Sequence, residues 1–151
     1  MVGTYLAVKP DAFAVTDIQK IQRAIKFANP IPKEKLHCTL MYSKEKQGTD
    51  YVPSPNVRYS AEVVGCDVMG DVGSPWRAIV LKLHCPALER RFNYAKTKGL
   101  EHSYPDFKPH ISLAYGDDVE GYLIDLKKYL ENSKQITLIL TNEYSEELVD
   151  D

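Results

Sequence analysis

Apolar residues recur along this chain with two alternating periods, and the switches between them mark out its elements. Residues 3–9 alternate and predict a strand. Thr16-Asp17-Ile18-Gln19 offers a capping box, and Ile18, Ile21, Ile25 and Ala28 then follow helical spacing until Asn29-Pro30 stops the helix. A strand over about 36–42 comes next, and the polar stretch from Lys44 to Pro55, with its glycine and prolines, predicts a mobile surface loop. Val57, Tyr59, Ala61 and Val63 alternate before the phase slips to Val64, Cys66 and Val68, which predicts a bulge near Gly65.

Gly70 to Pro75 reads as a turn and Trp76 to Leu83 as a strand. Pro86 suits the first turn of a helix with Leu88, Phe92 and Ala95 as its buried stripe and Gly99 as its C-terminal cap. A turn-rich connection, Ser103 to Pro109, leads to a strand at about 110–115. Asp117 or Asp118 can cap a last helix with Leu123, Leu126 and Leu130 inward, Gln135 to Thr141 is the final strand, and the acidic tail Glu146 to Asp151 is expected to fray. The order β-α-β-β-β-α-β-α-β predicts an α+β fold, two antiparallel sheets side by side with helices packed outside. No linker divides it, so residues 1–151 are expected to form a single domain.

Composition narrows the function. A chain that is 44% hydrophobic and 26% charged has the makeup of a folded protein, which argues against disorder. No apolar run approaches the roughly 20 residues that cross a bilayer, and the first residues lack the pattern of a signal peptide. A net charge of −2 gives no surplus of lysine and arginine for tracking long nucleic acid, yet leaves room for a small anionic ligand. Cys38, Cys66 and Cys85 are an odd number without C-x-x-C spacing, which points to a reducing cytosol and to neither a disulfide framework nor a structural zinc.

One stretch occurs twice. Lys35-Leu36-His37-Cys38-Thr39-Leu40-Met41-Tyr42 recurs as Lys108-Pro109-His110-Ile111-Ser112-Leu113-Ala114-Tyr115, sharing K-x-H-x-[ST]-L-x-Y. An internal repeat sets the architecture, here two similar lobes that each present an imidazole and a hydroxyl. Positions i and i+2 of a strand share a face, roughly 6.5–7 Å apart. His37 and Thr39 therefore point one way and Cys38, Leu40 and Tyr42 the other; His110 and Ser112 are set against Ile111, Leu113 and Tyr115 in the same manner. Tyr42 and Tyr115 are expected in the core with their hydroxyls at its edge.

Two imidazoles flanking a phosphate can take and give a proton near neutral pH. Two hydroxyls can donate to the non-bridging oxygens as charge grows on them. Such a site cleaves a phosphodiester with no metal and no cofactor, and two His with two neutral hydroxyls are a poor zinc set. His84 reads as a helix-entry or packing residue and His102 as a polar loop residue.

His37-Cys38-Thr39 and His110-Ile111-Ser112, on strands in opposite halves, resemble the paired signature of the two-histidine (2H) phosphoesterase superfamily, as does the approach Phe107-Lys108-Pro109. The resemblance implies a pseudo-two-fold bilobal fold with a central cleft, His37 and His110 as the acid–base pair, and Thr39 and Ser112 as phosphate donors. Within that superfamily the opening Gly3-Thr4-Tyr5-Leu6-Ala7-Val8-Lys9, the entry Asn29-Pro30-Ile31-Pro32 and the exit Leu40-Met41-Tyr42-Ser43 are most similar to the phage anti-CBASS proteins. These are viral phosphodiesterases that destroy the cyclic di- and trinucleotides of a bacterial antiviral alarm.

That resemblance implies a cyclic oligonucleotide substrate in the host cytosol, with no membrane and no long nucleic acid as partner. Tyr5 and Trp76 become base-stacking candidates, Glu143 a carboxylate for a base amino group, and Lys9 and Arg77 sources of local positive charge. The alternatives are a 2′,5′-oligoadenylate or 2′,3′-cyclic phosphate phosphodiesterase with the same four motif residues, or a sponge that binds a cyclic nucleotide without cutting it.

Overall fold

The structure is a computed structural model that describes residues 3–44, 51–104 and 106–148. Its elements are β1 (Gly3–Pro10), α1 (Ala12–Ile25), β2 (Cys38–Ser43), β3 (Arg58–Met69), β4 (Ala78–His84), α2 (Pro86–Thr97), β5 (His110–Tyr115), α3 (Leu123–Glu131) and β6 (Thr137–Leu148), with 3-10 turns at Lys33–Lys35 and Val119–Tyr122. The order is the one the periodicity predicts. Among the described residues no helix is long and apolar enough to cross a membrane.

Several boundaries move for local reasons. α1 begins a turn before Thr16, because Asp11 caps it by accepting from the Ala14 N–H at 2.9 Å. It ends where Lys26 turns left-handed at φ 60°, so Phe27 is buried where Ala28 was expected, and Ala28 is exposed. α2 opens on Pro86, buries Leu88, Phe92 and Ala95, and is closed by Gly99 at φ +95°, a conformation that costs glycine little. β6 is longer than expected, since Glu146 and Leu148 pair with Tyr5 and Gly3 instead of fraying; 149–151 lie outside the described residues.

The strands close into a ring ordered β1-β2-β5-β4-β3-β6. The two expected sheets are its arcs, β6-β1-β2 and β5-β4-β3. They join through one pairing between β2 and β5, Cys38 with Ile111, and through five between β3 and β6, from Arg58↔Thr141 to Glu62↔Thr137. Each half contributes a β-α-β-β unit, β1-α1-β2-β3 and β4-α2-β5-β6, with α3 inserted in the second. The last strand of each unit completes the arc of the other, so the halves interlock. Leu6, Leu40, Ile111 and Leu140 pack with Ile18 of α1 and Leu88 of α2 in one core cluster, which leaves the opposite side of the motif strands for chemistry.

Bulges decide what faces that side. Leu6 pairs with Met41 but Ala7 with Thr39, so Leu40 is an extra residue in β2. Ile79 pairs with Ala114 but Val80 with Ser112, so Leu113 is extra at the same place in β5. Each bulge lets two successive residues turn inward, Leu40 with Met41 and Leu113 with Ala114, and reverses the phase beyond. Tyr42 consequently leaves the core face to which strict alternation assigns it; both tyrosines are half-buried, and Tyr115 still packs against the core cluster. The predicted slip in β3 is present as well, with Val64 unpaired between Val63 and Gly65.

A bulge in β6 has the reverse effect. Val8 of β1 faces both Asn142 and Glu143, Asn142 takes φ 52°, and Glu143 turns inward. Its carboxylate accepts from Arg91 Nε at 2.9 Å and from the Tyr51 hydroxyl. Arg91 Nη2 also donates to the Val52 carbonyl at 2.9 Å. The described end of the Lys44–Pro55 loop is therefore pinned, with Tyr51 buried, while 45–50 lie outside the described residues.

Candidate active site

The pairing of Cys38 with Ile111 sets the site. Continued one residue each way, an antiparallel register places His37 against Ser112 and Thr39 against His110. Cys38 and Ile111 are fully buried, so these four side chains leave the strands on the other face. Burial pushes the Cys38 thiol up to about 12, and it packs as an apolar residue.

Both imidazoles are held the same way. His37 Nδ1 lies 2.8 Å from the Lys35 carbonyl, and His110 Nδ1 lies 2.8 Å from the Lys108 carbonyl. A carbonyl oxygen only accepts, so each Nδ1 carries a hydrogen and the neutral ring keeps its lone pair on Nε2. Neither Nε2 makes a hydrogen bond among the described residues. The K-x-H spacing thus works through the lysine backbone, two residues upstream of each histidine.

Burial lowers the pKa of His110 below the ordinary imidazole value; the Lys108 hydrogen bond partly offsets this, and the nearby His37 charge lowers it further. The Thr39 hydroxyl is 2.9 Å from the Tyr5 hydroxyl. Burial raises the Tyr5 phenol well above its usual range, with the Thr39 hydrogen bond acting against the shift. The Tyr5 ring stands edge-on to His37 at 6.0 Å and to Tyr42 at 6.1 Å.

Tyr5, Thr39, Tyr42 and His110 line a cavity of about 570 Å³ together with His102 and Tyr104, whereas His37 and Ser112 are not among its lining residues. Its size suits a nucleotide, and its aromatic walls suit flat bases. Among the described residues no three His, Cys, Asp or Glu side chains converge as metal ligands.

Other expected site residues lie elsewhere. Trp76 precedes β4, is 74% exposed, and stands edge-on to Tyr115 at 5.8 Å without lining the cavity. Glu143 is 2% exposed and spent on Arg91 and Tyr51, so its carboxylate is not offered to a base; the β6 bulge is the reason. Arg77 is spent on the Gly70 carbonyl at 2.7 Å and Glu120 at 3.4 Å, and Lys9 lies over the Tyr144 ring at 5.2 Å.

Tyr42, His102 and Tyr104 are cavity residues that strict alternation and loop composition overlook. The shared tyrosine of the repeat is a signal for the first. His102 carries none, because its place depends on a hydrogen bond from the Tyr42 N–H, sixty positions away in sequence.

The family described as "Anti-CBASS protein Acb1" matches residues 2–151. A protein of that name from Acinetobacter phage Ac42 is 32% identical over 146 residues, 97% of this chain and 91% of its own. Another from Enterobacteria phage T4 is 30% identical over 151 residues, 97% of this chain and 88% of its own. Among solved structures, TT0787 of Thermus thermophilus superposes with a TM-score of 0.59 at 16% identity, covering 95% of this chain and 83% of that one. LigT of E. coli, complexed with 3′-AMP, has a TM-score of 0.50 at 14% identity and covers 95% and 82%. The shared architecture is the 2H phosphoesterase fold.

Proposed function

The chain belongs to the Acb1 family of anti-CBASS proteins, and from that premise we propose that it cuts the 3′,5′ phosphodiester bonds of cyclic di- and trinucleotide alarm signals in the cytosol of an infected bacterium. The observation that carries this reading is the matched pair of imidazoles, each tethered at Nδ1 and open at Nε2, with His110 and Thr39 in the wall of one nucleotide-sized cavity.

The reaction begins at His110. His110, whose pKa burial holds down, is neutral at pH 7 and takes the proton of the ribose 2′-OH on Nε2. The 2′-oxygen attacks phosphorus, the bond to the 5′-oxygen breaks, and protonated His37 delivers a proton to that leaving oxygen. A 2′,3′-cyclic phosphate and a free 5′-OH result, and water opens the cyclic phosphate with the two roles exchanged. Thr39 and Ser112 donate to the non-bridging oxygens as charge builds on them. Four such side chains supply proton transfer and charge stabilisation without a metal.

The test is mass-spectrometric analysis of products from a panel of cyclic dinucleotides and trinucleotides, 2′,5′-oligoadenylates and 2′,3′-cyclic mononucleotides, with and without EDTA. Cleavage of the cyclic ribo-oligonucleotides through a 2′,3′-cyclic phosphate, undiminished by EDTA, is the expected result. Equal cleavage of an all-deoxy cyclic dinucleotide would remove the proposed nucleophile, and loss of activity in EDTA would remove the metal-free mechanism.

A further inference from the structure

His102 is held in the opposite manner to the motif histidines. Its Nδ1 accepts the Tyr42 backbone N–H at 3.1 Å, so that nitrogen carries no hydrogen and the neutral ring must carry one on Nε2. Protonating the ring would set two donors against each other. Burial, followed by repulsion from Lys96, lowers its pKa and keeps it neutral. Where His37 and His110 expose a lone pair on Nε2, His102 exposes a permanent donor, and that Nε2–H has no partner among the described residues.

The surroundings are aromatic and hydrogen-bonded to β2. His102 stands edge-on to Phe92 at 5.2 Å and to Tyr104 at 5.6 Å, and Tyr104 leans on Tyr42 at 5.7 Å with 39° between the rings. The Ser103 N–H donates to the Tyr42 carbonyl at 2.8 Å and the Lys44 N–H to Ser103 Oγ at 2.8 Å, lacing this segment to β2. Tyr104 nevertheless stays 56% exposed at the cavity, a large aromatic surface that the fold does not cover.

We propose that Tyr42, His102 and Tyr104 form a nucleobase subsite, in which a base of the substrate stacks on Tyr104 and the His102 Nε2–H donates to an acceptor on the base edge. Aromatic rings stack on bases irrespective of sequence, whereas a fixed donor selects among base edges by their acceptors. A neutral imidazole among aromatic rings suits a base better than a phosphate, which draws charged donors. The subsite rests on the nucleotide reading above, and it is separate from the proposed proton-transfer groups.

The test measures binding, so that it does not depend on cleavage. All-deoxy cyclic di-adenosine monophosphate, which lacks the proposed nucleophile, is titrated calorimetrically against the protein, alongside the same ring with both bases removed. Tyr104→Ala should weaken binding of the base-bearing probe about tenfold and leave the abasic probe unaffected, whereas Tyr104→Phe should bind as the parent does. His102→Asn keeps an acceptor for the Tyr42 N–H through its Oδ1 but is too short to place a donor where the Nε2–H stood, and should weaken the base-bearing probe severalfold with unchanged melting. His102→Gln, whose amide nitrogen reaches the lost position, should recover part of that.

Binding within twofold of the parent in both folded Tyr104→Ala and His102→Asn would overturn the subsite, as would equal losses on the abasic probe or no binding by the parent. Tyr104-dependent binding in a protein that cleaves none of the ribo-oligonucleotides would instead overturn the proposed reaction and leave the subsite standing.

Discussion

The two β-α-β-β units build their motif strands alike and then part company. Each has its bulge at the leucine of the motif, its histidine tethered to the carbonyl two residues upstream at 2.8 Å, and a half-buried motif tyrosine. In the first unit, Tyr5 pairs with Tyr42 and its hydroxyl engages Thr39 at 2.9 Å. In the second, the residue that pairs with Tyr115 is Ala78, and the Ser112 hydroxyl makes no hydrogen bond among the described residues. Tyr115 is covered edge-on by Trp76, while Tyr42 lines the cavity. Repetition therefore supplies a symmetric frame, and residues outside the motif make the two histidines unequal.

The largest effects should come from the histidines. Alanine at position 37 or 110 is expected to cut kcat by about 10²–10⁴-fold while leaving the fold intact. A cyclic dinucleotide with sulfur in place of the departing 5′-oxygen needs little protonation to leave. It should restore most of the rate to His37→Ala and none to His110→Ala; the reverse pattern would exchange acid and base between the halves.

Glu143→Ala tests whether that carboxylate belongs to the frame or to the chemistry. Leaving Arg91 unpaired should cost about 3 kcal/mol. Calorimetric melting should fall by roughly 6–12 °C, while kcat of the folded protein changes less than severalfold. A collapse of kcat without loss of stability would return Glu143 to the site.

Smaller changes probe the hydroxyls. Ser112→Ala should lower kcat about 10²-fold. Tyr5→Phe, which removes only the partner of Thr39, should lower it about fivefold. Equal losses in single-turnover assays would erase the asymmetry drawn between the halves.

The pH response should be the mildest signal. His110 has a lowered pKa, so the acid limb of kcat/KM should fall below the free-histidine value of about 6.5. The unfolded chain binds protons at His102 and His110 before the native one does. Stability from both is accordingly complete above the unfolded value and is lost as pH falls through the lower folded ones. Denaturant titrations stepped downward from pH 7 would show it, and an acid limb above 6.5 would contradict the assignment of His110 as first base.

Much of this was legible in the chain. The order of elements follows from period-two and period-3.6 patterns that short windows contain, and the α2 stripe of Leu88, Phe92 and Ala95 matches residue for residue. The repeat singled out four side chains that the fold brings to one end of two adjoining strands. Periodicity misplaced Tyr42, because one extra residue at Leu40 reverses the phase, and it ended the last strand at Thr141, short of the Asn142 bulge that turns Glu143 inward. The β3 bulge was visible beforehand only because it broke an otherwise long alternation around Gly65.

What the sequence alone determined is the inventory: which residues carry imidazoles and hydroxyls, on which kind of element, and how often. Local spacing encodes that, since a strand or helix forms its pattern over a few neighbours. Tertiary structure decided the rest: that Cys38 meets Ile111, that Glu143 turns inward, and that two imidazoles offer a lone pair on Nε2 while a third offers a hydrogen. Those outcomes depend on partners tens of residues away, and ring closure and main-chain hydrogen bonding choose such partners only once the chain has folded.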